Sequence, residues 1–155
     1  MQPSSPIPEQ VLLDAVRRRR AGLHESMIAL EQAFAAPAPG RHGAWVQRVH
    51  AALAELVADF RAHIDITEGP SGLYADLCTT EPRLSYAVAR LTREHAHIRE
   101  LIDDLLARAS GSDANDVDAV RDVGTALLGS LVRHRQHGSD LIYEAYAFDV
   151  GGENG

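Results

Sequence analysis

His24, His63, His95 and His134 are separated by 39, 32 and 39 residues. Adjacent up-and-down helices of ~25 to 30 residues with short loops bring one side chain each to a common level at such spacings. Four imidazoles at one level of a bundle are metal-binding chemistry. A single histidine on an apolar face is more often a hydrogen-bonded core residue, but four buried imidazoles each need a partner for a second nitrogen. One metal ion satisfies several of them together.

Carboxylates extend the set. Glu68 follows His63 by five residues and Asp140 follows His134 by six. A helix-borne acid a little over one turn past a histidine can bind the same ion or bridge two, and its charge offsets that of the cation. Glu68 suits this role, although its place beside Gly69-Pro70 also fits an ordinary helix-end acid. Asp140, ~120° around the helix from His134, reads as a solvated acid. His137 lies ~60° off the same apolar seam and is a further candidate ligand. Glu94 is close enough to an apolar stripe to be a ligand or to accept an imidazole N–H, and the second role is favoured. His97 reads as outward-facing, His42 as a loop residue and His50 as marginal. Gly138, one turn past His134, leaves room for a second ion, a water or a small gas, or else allows a tight helix contact.

Four helices must position these groups. The first is predicted over 9–35, with Leu12, Val16, Leu23, Met27, Leu30 and Phe34 at helical spacing, ending at Pro37-Ala38-Pro39-Gly40. The second spans 43–68, with Trp45, Val49, Leu53, Leu56, Phe60 and Ile64 on one stripe, and Gly69-Pro70 breaks it. One or two further helical turns are predicted between Ser71 and Cys78. The third long helix takes Thr80 as N-cap and Pro82 in its first turn, and buries Leu84, Val88, Leu91, Ile98, Ile102 and Leu105. After a loop over 110–113, the fourth runs over 115–147 with Val120, Leu127, Leu131, Leu141 and Ala145 as its seam. At ~100° per residue His95 and His134 fall inside their stripes, whereas His24 and His63 lie ~60° from theirs.

The expected fold is all-α, an up-down-up-down four-helix bundle over 9–147, with a proline-rich, disordered arm over 1–8 and a tail over 148–155. Tyr143 and Tyr146 are expected to pack or cap near its end.

Composition narrows the function. Aromatic residues make up only 5% of a chain that is 45% hydrophobic, so the core must be mostly aliphatic. A net charge of -7 argues against a nucleic-acid partner. The basic run Arg17 to Arg20 reads as a solvated helix face. No stretch of ~18 apolar residues is present, so no membrane span is expected, and the start lacks the features of an export signal. One cysteine, Cys78, cannot form an intramolecular disulfide, which suggests a cytoplasmic setting; it reads as a small packing residue. There is no phosphate-binding loop, Cys-His zinc pattern or nucleophile elbow.

Taken in order, these residues resemble the hemerythrin-like, or HHE cation-binding, family. The resemblance rests on His24 with Ile28-Ala29-Leu30-Glu31, Phe60-Arg61-Ala62-His63 with Thr67-Glu68, Arg93-Glu94-His95 with Ile98, and His134 leading into Asp140-Leu141-Ile142-Tyr143. The final stretch is similar to a bacterial subgroup with a Tyr-Glu-Ala-Tyr and Gly-Gly tail. The resemblance implies a non-haem iron site, two irons in the family pattern, with His24, His63, His95 and His134 as one-per-helix ligands and Glu68 as a bridging carboxylate. It implies a small diatomic or peroxide ligand: dioxygen, nitric oxide or peroxide bound, sensed or processed, with binding or sensing ahead of catalysis. The chain departs from the pattern where Arg99 stands four residues after His95, and where Gly138 and Ser139 follow His134. Those departures bring in a site of one iron, a site completed by His137 or water, a zinc or manganese site, and a metal-poor helical interaction or regulatory module.

Overall fold

A computed structural model describes residues 9–38, 40, 42–110 and 116–147. Its helices are α1 (Glu9–Ala35), α2 (His42–Glu68), α3 (Leu73–Thr80), α4 (Ser85–Ser110) and α5 (Val117–Ile142). A 3-10 turn, Pro82–Leu84, precedes α4, and a π-helical turn, Tyr143–Ala147, extends α5. The four long helices form an all-α bundle in which α1 packs along α2 and α5, and α4 packs along α5 and α2. No strand occurs among the described residues, and no helix is long and apolar enough to cross a membrane. The arm over 1–8 and the tail over 148–155 lie outside the described residues, as does the predicted loop beyond Ser110.

Every apolar residue that the helical spacing assigns to an inward stripe is buried. The helix ends differ in informative ways. Thr80 does not cap α4; its hydroxyl donates back to the Asp76 carbonyl at 3.0 Å and so completes α3. The chain then turns through Pro82, whose missing N–H suits the start of the 3-10 turn. Asp116 caps α5 by accepting from the Ala119 N–H at 3.0 Å. His42 opens α2 rather than lying in a loop. Cys78 is exposed, not packed, because α3 buries Leu73, Tyr74 and Leu77 on its other side. Tyr143, 73% exposed, does not pack, whereas Tyr146 lies against the core.

Two apolar clusters fill the bundle. The larger holds Leu23, Met27, Leu30, Phe60, Ile64, Ile98, Ile102, Leu127 and Leu131 among others. The smaller gathers Leu12 and Val16 with Leu73, Tyr74, Leu77, Leu84, Val88, Leu91, Leu141 and Ala145. On α4 the two meet between Leu91 and Ile98, around His95; on α5 they meet between Leu131 and Leu141, around His134. On α1 they meet between Val16 and Leu23, which brackets Arg20. The polar layer of the bundle is thus written by position along each helix, with a guanidinium on α1 where the even histidine spacing pointed to His24.

Candidate metal centre

Three histidines converge in that layer: His63 from α2, His95 from α4 and His134 from α5. One ring nitrogen from each lies within 4.8 Å of the other two, and all three residues are buried. Nε2 of His63 stands 3.3 Å from Nε2 of His134. His95 is held on one side by Phe60, edge-on with ring centroids 5.6 Å apart, and on the other by Tyr74, stacked at 5.8 Å. The short α3 exists, in effect, to carry Tyr74 and two leucines over this end of the layer.

Two carboxylates stand behind the imidazoles. His95 Nδ1 donates to Glu68 Oε2 at 2.8 Å, and His134 Nδ1 donates to Glu94 Oε1 at 3.0 Å. An ionised carboxylate only accepts, so each of these rings carries its proton on Nδ1 and keeps a lone pair on Nε2. Glu94 also accepts from His137 Nδ1 at 2.6 Å, while Arg90 closes on His137 Nε2. Burial would raise the Glu94 pKa, but the hydrogen bonds from His134 and His137 outweigh it and hold the acid below its ordinary value. Burial pushes Glu68 up, against the opposing charge of Arg99.

The imidazoles themselves are kept neutral. Burial, followed by His134 and Arg20, lowers the His63 pKa to about 3. Burial, followed by His134, His63 and Arg99, lowers that of His95 to about 2. His134 is lowered by burial as well, with Glu94 pulling the other way. Neutral imidazole is the form that binds metal.

These residues fit a single cation. Nε2 of His95 is buried with no hydrogen-bond partner, a cost of about 1–3 kcal/mol for a group that keeps a lone pair in the core. Facing nitrogens of His63 and His134, together with this orphan, form a three-imidazole donor set; the outer N–H groups of His95 and His134 are fixed by acids, the arrangement that orients metal-binding histidines, while Nδ1 of His63 is buried without a partner. A transition metal held there would supply Lewis-acid or redox chemistry at an open position. His63, His95 and His134 would hold it; Glu68 and Glu94 fix the rings and offset the positive charge.

The other sequence candidates sit elsewhere. His24 is half-buried on α1, its Nδ1 unpartnered, and lies outside the three-nitrogen group. Glu68 faces the back of His95 rather than the converging nitrogens, and His137 faces Glu94. Thr67, at the position four residues past His63, turns its hydroxyl onto the His63 carbonyl at 2.7 Å. Asp140 is exposed and accepts from Gln136. Arg99 and His97 are exposed, and His50 is tied to the Ala109 carbonyl at 3.0 Å. Among the described residues, no other group of three metal-ligating side chains forms.

Beside His63 and His134 lies a cavity of about 20 Å³, lined also by Arg20, Thr67, Tyr74 and Gly138. It has room for roughly one or two water-sized groups. Sequence reasoning missed two of these wall residues. Tyr74 was legible only as part of a short amphipathic segment, and Arg20 was hidden in the run of four arginines, of which Arg17, Arg18 and Arg19 are exposed and Arg20 is not.

The family model for the hemerythrin HHE cation-binding domain matches residues 12–145. Searches of curated proteins and of solved structures gave no match.

Proposed function

The chain belongs to the hemerythrin HHE cation-binding family, and on that premise we propose that it holds one iron ion on His63, His95 and His134. It binds or senses a small ligand, dioxygen, nitric oxide or peroxide, in the adjoining cavity. The observation that carries this reading is the convergence of three neutral imidazole nitrogens, two of them, on His95 and His134, belonging to rings whose outer N–H groups are committed to Glu68 and Glu94. Three protein ligands leave an ion open to a further one, and the cavity borders two of the three. Apolar walls from Leu23, Met27, Leu91 and Leu131 limit access of bulk water to the same space. Because His24 stands outside the donor group and Arg99 offers no lone pair, the reading is of one ion rather than the two of the family pattern. A cytoplasmic setting belongs to this reading and rests on the lone Cys78.

Elemental analysis of the purified protein, with its visible spectrum, tests it. About one iron per chain is expected, lost in His95→Ala and His134→Ala. Absence of stoichiometric metal in the parent, or unchanged content in both variants, would sink the proposal. Zinc is the second reading, favoured by a donor set of three imidazoles with no carboxylate among them; the same measurement separates it, since a zinc site is colourless.

A further inference from the structure

We propose that the cavity beside His63 and His134 is a subsite for a small anion, and that Arg20 is the residue that selects it. The inference deepens the metal reading and rests on it for the ion, but the cavity wall is made by this chain alone. No aspartate or glutamate lines the cavity. Its charged lining groups are Arg20 and Arg135, and its imidazoles are neutral.

Among the described residues, Arg20 spends only one of its nitrogens on the protein. Nη2 donates to the Arg135 carbonyl at 3.0 Å and to Ser139 Oγ at 2.5 Å, both neutral acceptors. Among the described residues no ion pair with a carboxylate accompanies them, and the half-buried guanidinium forms part of the cavity wall. Burial, then the neighbouring charge of Arg135, lowers the Arg20 pKa, the mark of a cation that lacks a counter-charge. Other polar groups on the wall are committed: the Thr67 hydroxyl donates to backbone carbonyls and itself bonds Tyr74.

Gly138 lies on the same wall, close enough to the guanidinium that a Cβ there would stand 4.0 Å from Arg20 Cζ, in ordinary van der Waals contact. A neutral diatomic gains little from such a wall, whereas an anion of two or three heavy atoms gains a charge-assisted hydrogen bond in a poorly solvated space. Charge on a metal held by the histidines acts in the same direction. The ligand class is therefore a small monoanion of the azide, nitrite or hydroperoxide type.

Azide is a suitable probe, because its infrared stretch reports binding whether or not metal is present. In the metal-loaded chain, Arg20→Met is expected to weaken azide roughly tenfold or more, with metal content unchanged and nitric oxide affinity within about twofold. Arg20→Lys, which keeps the charge, should recover part of the loss. If Arg20→Met does not fold, Arg20→Gln serves, since it retains a donor for the Arg135 carbonyl. Wild-type azide affinity in a folded, metal-loaded variant overturns the proposal, and so does an equal loss for azide and nitric oxide. A chain that carries no metal defeats the metal reading alone. The titration is then run on the metal-free protein, where an Arg20-dependent azide band upholds the anion subsite and no band overturns it too.

Discussion

Acidification should unfold the metal-free chain through two histidines. His63 and His95 are 6% and 1% exposed, and their pKa values are held at about 3 and about 2, against an ordinary 6.5. The unfolded chain takes up a proton at each as pH falls through ~6.5, while the folded chain resists until it reaches the lowered values. Stability is therefore full above ~pH 7 and is lost progressively below it. Two protons at ~1.4 kcal/mol per pH unit each give a slope of about 2.7 kcal/mol per unit between ~pH 5.5 and ~pH 4.5. Glu94, with its lowered pKa, adds to the loss at the acid end, and Glu68, with its raised pKa, opposes it. Against a total stability of roughly 5–15 kcal/mol for an ordinary domain, two pH units suffice to bring the chain close to unfolding. Urea titrations followed by circular dichroism, in the presence of a chelator at several pH values, measure the slope. His134, lowered by burial as well, steepens the slope further, and His95→Phe, which removes one proton, should reduce it by about 1.4 kcal/mol per unit. A slope under ~1 kcal/mol per unit, or one unaltered by His95→Phe, would refute the account of buried neutral imidazoles.

Two further outcomes follow from the contacts. Glu68→Gln and Glu94→Gln should each weaken metal binding by roughly ten- to a hundredfold, as loss of a ring-orienting acid commonly does; chelator competition measures this, and parent-like affinity in both would remove the carboxylates from the site. Gly124→Ala would drive a Cβ into the Phe34 ring. It should destabilise by about 1–3 kcal/mol, read as a lowered urea midpoint; an unmoved midpoint would mean that α1 and α5 are not packed so closely there.

The long helices were legible because they carry a strong 3.6-residue period: 9–35 coincides with α1, and the stripes on all four are buried residue for residue. Boundaries were less so where side chains compete for the backbone. Thr80 looked like a helix-starting residue, yet its hydroxyl, like that of Thr79, turns back into α3. Within the site, His95 and His134 could be placed from their wheels, and Glu94 sits behind His134 as its wheel position suggested. Level along the axis was harder. Even spacing in sequence does not fix the relative slide of α1 against α2 and α5. The wheel also favours residues on apolar stripes, so an arginine at the edge of a basic run gave no signal.

Departures from the family pattern form one coherent set rather than scattered losses. Thr67 turns its hydroxyl onto its own helix, Arg99 faces solvent near Glu68, and Gly138 offers space where a ligand was expected. Glu68, the bridging carboxylate of the family pattern, accepts from the back of His95 instead. At the level of the three histidines α1 contributes a cation, which would repel a second metal ion as it would attract an anion. A donor-poor, cationic fourth wall thus suits the proposed one-ion site with a small anionic ligand. An arginine in that position is hard to reconcile with two metal ions in the same layer.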